Sequence, residues 1–415
     1  MKYLNLLQKE SGLKINSTAF LMCLLGVLLS TLLLGYAPSS IMLGVFFVFS
    51  IRHAIIHKTK IKLEYKLILP ILLYLYFVAS FFWSVDKGQT LKGLERMVAL
   101  IIVPVSFIFL PKLSKKHLKI VLNIFTVTNV LLGIFFLINA VFNFYKTRAL
   151  SVFTYHELVS VLDLNAIYVS LIFSISLFYL LSLKEKTKIH KGLIAFLLLL
   201  LFLLSSKLVI IIACISSVIF LFKNNSSKWN KKRIILSVFF LIALGITSSI
   251  TLIDRFKFEN ESKYSEVLNL DQFGGIYPWT GSSIRLFQLR LLKEQIQEDA
   301  ILLKGYGLFA SRKSLDVLHD KYNTYIDFHH YNYHNQYAQI LSELGLIGLI
   351  MLLLILFSIW STGLKSYSFL VIMFSIIITL MFFTESLLWR QRGLFLFIVF
   401  YSLFVKIFEN KIESH

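Results

Sequence analysis

The sequence is poor in cysteine, proline and charge. It has two cysteines and five prolines in 415 residues, and 15% of its residues are Asp, Glu, Lys or Arg. Cys23 and Cys214 both fall within apolar stretches, which excludes a disulfide framework. About a quarter of the residues in soluble domains are charged, so the scarcity of charged residues excludes an ordinary soluble globular protein.

Long apolar runs dominate the chain. Hydrophobic residues make up 57% of it, and its mean hydropathy is +0.76. Apolar runs of about 18 residues or more are typical of transmembrane helices. We expect an all-α polytopic membrane protein with about twelve transmembrane helices, near residues 18–35, 39–51, 67–83, 97–110, 118–144, 163–182, 192–206, 208–222, 234–253, 336–359, 366–384 and 393–408. Two of these spans, 39–51 and 97–110, are short, so we expect them to be partly re-entrant or packed inside the bundle.

Almost all of the net charge of +20 falls on one side of this topology. With twelve spans, both termini lie on the same side as the loops that follow the even-numbered spans. That side holds 24 of the 42 Lys and Arg residues but 5 of the 22 Asp and Glu residues. The asymmetry follows the positive-inside rule, so we expect cytoplasmic termini and a first span that is retained as an anchor. The charge therefore gives no support to nucleic-acid binding.

The long polar insert divides the chain into three parts. We expect transmembrane helices 1–9 in residues 1–253, an extracytoplasmic loop in 254–335, and helices 10–12 with a cytoplasmic tail in 336–415. The loop contains an amphipathic helix over 282–299, which Ser282 or Ser283 would cap. Because the loop has few aliphatic residues with which to bury a core of its own, we expect a compact, partly helical lid and no separate globular domain.

His334 begins the tenth span, in the sequence His-Asn-Gln-Tyr. An imidazole, with an ordinary pKa of about 6.5, is suited to taking a proton from an attacking hydroxyl at neutral pH. The alternative is a histidine that only packs at a helix end, where Asn335 is the better capping residue.

Arg285 opens the amphipathic segment of the loop. On the outer face of a membrane the positive-inside rule gives no reason for an arginine, and its guanidinium fork matches the oxygens of a phosphate. The alternative is a solvated helix face, which suits Arg290 and Lys293 better.

Three further cations are predicted on the same face. Lys207 lies at the tip of the hairpin between spans seven and eight, and Arg390 and Arg392 lie between the last two spans. For Lys207 the alternative is a lysine that extends to the membrane interface. A cluster of cations near a histidine suggests a lipid-linked phosphate or diphosphate as the substrate.

Other polar residues give weaker signals. His156, next to Glu157, precedes a span and is expected to line the same cavity. His329 and His330 adjoin His334, but their spacing in an irregular loop is poor evidence for metal, and we expect no metal site. Glu343 lies inside the tenth span, where a carboxylate is either functional or part of helix packing.

Three motifs, in this order, resemble the O-antigen ligase and polymerase superfamily of bacterial envelopes. The first is Ser206-Lys207 at the hairpin tip. The second is Ser283-Ile284-Arg285 followed by Gly305-Tyr306-Gly307. The third is His334-Asn-x-Tyr followed by Glu343, Gly345 and Gly348. The resemblance covers residues from about 160 to 360.

The resemblance implies an inverting glycosyltransferase that needs no metal or other cofactor. It would move a glycan from undecaprenyl diphosphate to an acceptor hydroxyl on the periplasmic face of the bacterial inner membrane. Arg285 and Lys207 would bind the diphosphate, although the family commonly has arginine at the position of Lys207. His334 would orient or deprotonate the acceptor. Asn335 and Tyr337 of the third motif would contact the substrates.

The acceptor stays open at this level. Lipid A-core is the leading expectation, and a polymerase that extends a lipid-linked glycan or an oligosaccharyltransferase that modifies protein Ser or Thr would use nearly the same residues. A different class is a transporter of polysaccharide or lipid without catalysis. Against a transporter, the sequence has no symmetric halves and no paired helices broken by Gly or Pro.

Overall fold

Helices form all the regular secondary structure in the part of the chain that the structure describes. The computed structural model describes residues 17–61, 63–223, 263–274 and 277–408. Its α-helices are α1 (Thr18–Ser30), α2 (Tyr36–Ile56), α3 (Tyr65–Ser80), α4 (Lys87–Met97), α5 (Ala99–Phe109), α6 (Lys115–Thr147), α7 (Tyr155–Val159), α8 (Ala166–Ser182), α9 (Lys188–Leu203), α10 (Lys207–Lys223), α11 (Tyr264–Asn269), α12 (Gly281–Glu298), α13 (Ser311–Lys321), α14 (Gln336–Lys365), α15 (Phe369–Met381) and α16 (Gln391–Phe408). Short 3-10 helices cover Thr31–Leu33, Leu150–Phe153, Ser160–Leu162, Ile326–His330 and Leu387–Trp389.

Two helices occupy the interior of the bundle. Every residue of α16 from 393 to 408 is buried, as is nearly every residue of α8. α16 packs against α3, α5, α6, α8 and α14, and α8 packs against α6, α9, α10 and α15. A helix that is apolar on all sides is typical of the centre of a membrane bundle. The other helices therefore form a layer around this pair.

The expectation of twelve spans is supported in part. Among the described residues, four helices are long and apolar enough to cross a membrane: α2, α6, α14 and α16. A fifth is added if the pair Tyr155–Leu162 and Ala166–Ser182, bent by 89°, counts as one broken span. Shorter apolar helices cover Thr18–Leu33, Tyr65–Ser80, Lys207–Ile219 and Phe369–Met381. The expected span at 234–253 lies outside the described residues.

The two spans expected to be short differ from each other. Residues 39–51 belong to α2, whose 21 residues are long enough to cross a membrane, because the helix continues through Arg52 and His53 beyond the apolar run. Residues 97–110 correspond to α5, whose 11 residues are packed among other helices, with Val103 and Phe107 fully buried. The expectation of packing inside the bundle is therefore right for the second of them.

The segment 263–334, here called the lid, has a small core of its own. Phe287 and Leu291 of α12 are fully buried together with Val267 of α11 and Leu315 of α13. Aromatic rings supply much of this core, and Phe273, Trp279 and Tyr322 all pack around Phe287. The expectation that the loop lacks the means to bury a core is wrong, because aliphatic residues such as Ile284, Leu292 and Leu318 are buried together with these aromatic rings.

The lid joins the bundle through backbone hydrogen bonds. The amide of Val85 donates to the carbonyl oxygen of Tyr306 over 3.0 Å, and the Thr90 hydroxyl donates to that of Leu308 over 2.8 Å. Further along, α12 packs against α14. The end of the bundle that contacts the lid is here called the lid end.

The Gly-Tyr-Gly and Glu-x-Gly motifs form one structural unit. The amide of Tyr306 donates to the Ser342 carbonyl oxygen over 2.9 Å, and that of Gly307 donates to the Glu343 carbonyl oxygen over 2.8 Å. Gly345 interrupts α14 with non-helical angles of φ 65° and ψ −163°. This break exposes carbonyl groups of α14 to which the lid can bind.

Candidate active site

The N-terminus of α12 sets the position of Arg285. Thr280 is the N-cap, since its hydroxyl accepts from the amide of Ser283 over 3.1 Å. The Ser283 hydroxyl in turn accepts from the amide of Thr280 over 2.7 Å, which completes a capping box. The sequence predicts Ser282 or Ser283 as the cap. The hydroxyl of Ser283 instead accepts from the backbone of the cap residue, Thr280. The helix starts one residue before the predicted start at 282, at Gly281.

Arg285 joins the lid to the segment between α15 and α16. Its Nε donates to the carbonyl oxygen of Thr384 over 3.0 Å, and its Nη2 lies 3.0 Å from Oε1 of Glu385. Its Nη1 donates to the carbonyl oxygen of Gly281 over 2.7 Å. A guanidinium has five N–H donors, so two are left without a described partner. With 31% of its side chain exposed, Arg285 is open to a further anion.

His334 is held in an uncommon backbone conformation next to Arg285. Its φ is +46°, and its amide donates to the side chain of Asn332 over 2.8 Å. Asn335 caps α14 by accepting from the amides of Tyr337 and Ala338. The cap predicted at Asn335 is thus confirmed, and His334 stands immediately before it with 25% of its side chain exposed.

Glu385 links the two predicted residues. Its Oε1 contacts Arg285, and its Oε2 lies 3.5 Å from Nδ1 of His334. Burial by itself raises the pKa of this carboxyl group, but the contact with His334 and the charge of Arg285 outweigh burial and hold the pKa below its ordinary value. The ionised carboxylate favours the imidazole tautomer with its proton on Nδ1, which leaves the lone pair on Nε2 available as a base.

No sequence motif predicted a role for Glu385. It is the only acidic residue between the last two spans, and an isolated carboxylate in so apolar a chain was the signal that could have revealed it. Its partners come from α12 and from the start of α14, 100 and 51 positions away in the chain, so no local motif marks the contact.

Gln339 holds the backbone on both sides of this cluster. Its Oε1 accepts from the amide of Tyr333 over 3.4 Å and from the hydroxyl of Ser386 over 3.3 Å. Its Nε2 donates to Glu343 over 2.6 Å. Tyr333 precedes His334 and Ser386 follows Glu385, so one buried side chain fixes the separation of the two segments.

The remaining predicted cations lie elsewhere at the lid end. Lys207 is the first residue of α10, at the tip of the predicted α9–α10 hairpin, and is half-buried. Arg390 is exposed, and Arg392 donates to the carbonyl oxygen of Leu32 over 3.0 Å. Among the described residues, the ion pairs of Glu385 are with Arg285 and His334.

The other histidines and Glu343 have local contacts. His156 accepts from the amide of Ala166 over 3.2 Å and so helps to begin α8. His329 lies 2.7 Å from Asp320 within the lid. Glu343 is fully buried in α14, where it accepts from Trp389 over 3.1 Å and from Gln339. Its second oxygen has no hydrogen-bond partner among the described residues.

An apolar cavity begins beside the cluster and follows α14. Its volume is about 610 Å³. Asn335 and Tyr337 line the end nearest His334, which is here called its mouth. The rest of the lining comes from α12, α14, α15 and the residues just after α15, and all of it except Thr379 is hydrophobic: Leu289, Leu292, Ala338, Leu341, Leu349, Leu353, Leu356, Phe357, Trp360, Thr379 and Phe383. The cavity therefore has two polar residues at its mouth and an apolar lining beyond them.

The fold is an all-helical membrane bundle, and its Arg–Glu–His cluster lies at the mouth of an apolar groove. Together these features define a polytopic membrane protein with a site suited to an anionic lipid. Residues 192–353 match the family model described as O-antigen ligase. This match supports the resemblance to the O-antigen ligase superfamily over that part of the chain. Members of the family are membrane glycosyltransferase-like ligases and polymerases. The matched stretch contains Lys207, Arg285 and His334, whereas Glu385 lies beyond it. No curated protein matches the chain.

Proposed function

We propose that this protein transfers a glycan from an undecaprenyl-diphosphate donor to an acceptor hydroxyl at the periplasmic face of the bacterial inner membrane. The observation that carries the proposal is the cluster in which Glu385 contacts both Arg285 and His334, at the mouth of the apolar cavity lined by Asn335 and Tyr337. A phosphate-binding cation, a base and a lipid groove are the three parts that such a transfer needs.

Arg285 is proposed to bind the diphosphate. Its two N–H donors without a described partner can bind phosphate oxygens, and its contact with Glu385 orients the guanidinium before the donor arrives. In the transition state, charge builds on the leaving diphosphate, which a fixed cation stabilises. Lys207 is proposed as a second cation for the donor, on the basis of its place in the first motif of the resemblance.

His334 is proposed as the general base. Its Nε2 takes the proton of the acceptor hydroxyl as the oxygen attacks the anomeric carbon, and the bond from that carbon to the diphosphate oxygen breaks. One displacement inverts the anomeric configuration. Glu385 stabilises the imidazolium that forms. The donor brings its own leaving group, so the chain needs to supply only binding, orientation and proton transfer.

The apolar cavity is proposed to hold the polyprenyl tail. It runs from Asn335 and Tyr337 along α14 toward Trp360, so a lipid in it would place its diphosphate beside Arg285. The proposed acceptor is lipid A-core, which makes the protein a ligase. A growing lipid-linked glycan would instead make it a polymerase.

Reconstitution tests the proposal. Purified protein in vesicles is given an undecaprenyl-diphosphate glycan together with lipid A-core, and transfer is measured. We expect Arg285→Ala and His334→Ala each to lower kcat/KM by about 100-fold or more. Lys293→Ala, on the exposed face of α12, and His330→Ala, exposed in the lid, are the matched controls and should retain normal transfer. Normal rates in folded Arg285→Ala and His334→Ala would overturn the proposal.

A further inference from the structure

A second group of cations lies at the lid end. Arg96 lies in the last turn of α4, and Arg390 and Arg392 stand where α16 begins, a helix that packs against α4. Arg96 and Arg390 are exposed, and neither forms an ion pair with another residue of the described chain. Glu95 precedes Arg96, but successive residues of a helix do not face each other. The patch therefore carries positive charge that its own surroundings do not neutralise.

Aromatic side chains hold this patch in place. The guanidinium carbon of Arg96 lies 5.4 Å from the ring centroid of Phe309, and Phe309 stacks on Trp389 with centroids 4.3 Å apart. Trp389 is anchored by its hydrogen bond to Glu343 and leads directly into Arg390. Arg392 lies over the ring of Tyr36 at 4.8 Å. Cations fixed in this way lose little conformational freedom when they bind an anion.

The two groups of cations are attached to different elements. Arg285 belongs to α12, which lines the cavity together with α14 and α15. Arg390 and Arg392 begin α16, which packs on α4, α5 and α8. Glu385 pairs with Arg285, and its charge acts on Tyr168 in α8, as do the charges of Arg390 and Arg392. Because Arg285 already pairs with Glu385, this carboxylate does not cancel the second patch.

The chemistry of a single displacement assigns the second patch to the acceptor. This step rests on the proposed function. The attacking hydroxyl must approach the anomeric carbon on the side opposite the leaving diphosphate. With the diphosphate on Arg285 and the tail in the cavity, the acceptor enters from the side of α4 and α16. We propose that Arg96, Arg390 and Arg392 form a second anion site, which binds a phosphate carried by the acceptor glycan.

The experiment compares two acceptors that differ only in one phosphate monoester. Reconstituted wild-type protein is given the lipid-diphosphate donor and either the phosphorylated or the neutral acceptor glycan. The readout is the ratio of the two kcat/KM values. We expect wild type to prefer the phosphorylated acceptor by about tenfold or more, since one charge-assisted hydrogen bond has that effect. In Arg390→Gln and Arg96→Gln the ratio should fall toward one, while Arg148→Gln, an exposed arginine at the end of α6, keeps the wild-type ratio.

Each other outcome has a defined meaning. A wild-type ratio near one overturns the second anion site while transfer itself still supports the proposed function. A fall in activity that is equal for both acceptors, with a raised KM for the donor, also overturns it, because Arg390 would then bind the donor. Binding of the phosphorylated acceptor without donor is measured in parallel. If wild type transfers nothing but binds this acceptor through Arg390, the proposed function fails and the anion site stands.

Discussion

Gly305 and Gly345 lie against each other's backbone segments. A β-carbon at Gly305 would stand 2.3 Å from the carbonyl carbon of Glu343, and one at Gly345 would stand 2.3 Å from that of Leu303. Both residues also have φ near +65°, which side chains disfavour. The second and third sequence motifs therefore contain glycine because the lid and α14 meet there without room for a methyl group.

Alanine at either glycine should destabilise the fold. For Gly345→Ala and Gly305→Ala we expect a loss of about 2–4 kcal/mol from crowding and left-handed backbone strain, seen as a lower thermal midpoint in detergent. Gly192→Ala is the control, because Gly192 lies in α9 with nothing near its would-be β-carbon. It should be neutral or slightly stabilising. Unchanged melting of Gly345→Ala would refute the close contact.

Replacing Glu385 with glutamine should show the effect of its charge separately from the effect of its size. In Glu385→Gln, the amide keeps the size of the side chain but loses the charge that pairs with Arg285 and orients His334, so we expect transfer to fall by about 100-fold or more. Glu298→Gln, an exposed carboxylate at the end of α12, should transfer normally. Wild-type rates in Glu385→Gln would mean that the carboxylate has no part in transfer.

The same variant should change the dependence of stability on acid. The folded-state pKa of Glu385 lies below its ordinary value. Its pairing therefore stabilises the fold fully above the ordinary carboxyl pKa of about 4.3 and is lost as the pH falls through the lower folded value. We expect wild type to melt at a higher temperature than Glu385→Gln at pH 7 and the difference to shrink in stronger acid. A constant difference would contradict the lowered pKa.

His319 should make the lid sensitive to mild acid. Its fully buried ring lies 2.9 Å from Gln288 and 2.8 Å from Thr324. Burial, reinforced by the neighbouring His329, lowers the pKa of His319 to about 4. Between that value and the ordinary pKa of about 6.5, the unfolded lid binds a proton that the folded lid does not, so stability falls as the pH falls, by about 3 kcal/mol in all.

Protease sensitivity of the lid is the measurement for His319. We expect cleavage within 263–334 to accelerate between pH 7 and pH 5 in wild type, and less so in His319→Gln, which has no proton to gain. Since His319→Gln can itself weaken the lid, the comparison is the change with pH within each protein. The same acceleration in both proteins would show that a group other than His319 causes the response to acid.

Two neighbouring leucines test the lipid groove. Leu353 and Leu354 of α14 are 46% and 47% exposed, but Leu353 lines the cavity and Leu354 does not. We expect Leu353→Trp to fill part of the cavity and to raise the KM for an undecaprenyl donor by about tenfold, with little effect on a donor whose lipid chain is short. Leu354→Trp should behave as wild type. Equal effects on donors with long and short lipid chains would show that the lipid tail does not bind in this groove.

The sequence predicted elements whose signals are local. The cap at Asn335 and the hairpin between α9 and α10 come from short motifs, as do the roles expected of Arg285 and His334, which stay predictions. Glu385 was missed because its partners are distant in the chain, and burial next to them cannot be inferred from one isolated carboxylate. The number of spans was supported only in part, because apolar runs do not tell a helix that crosses the bilayer from a shorter one packed within the bundle.

The separate aromatic core of the lid has an evolutionary consequence. A segment whose interior packs largely on itself tolerates replacement of its outward-facing side chains. Under the proposed function, this cover could change to suit different sugars while the helices that line the cavity keep their packing.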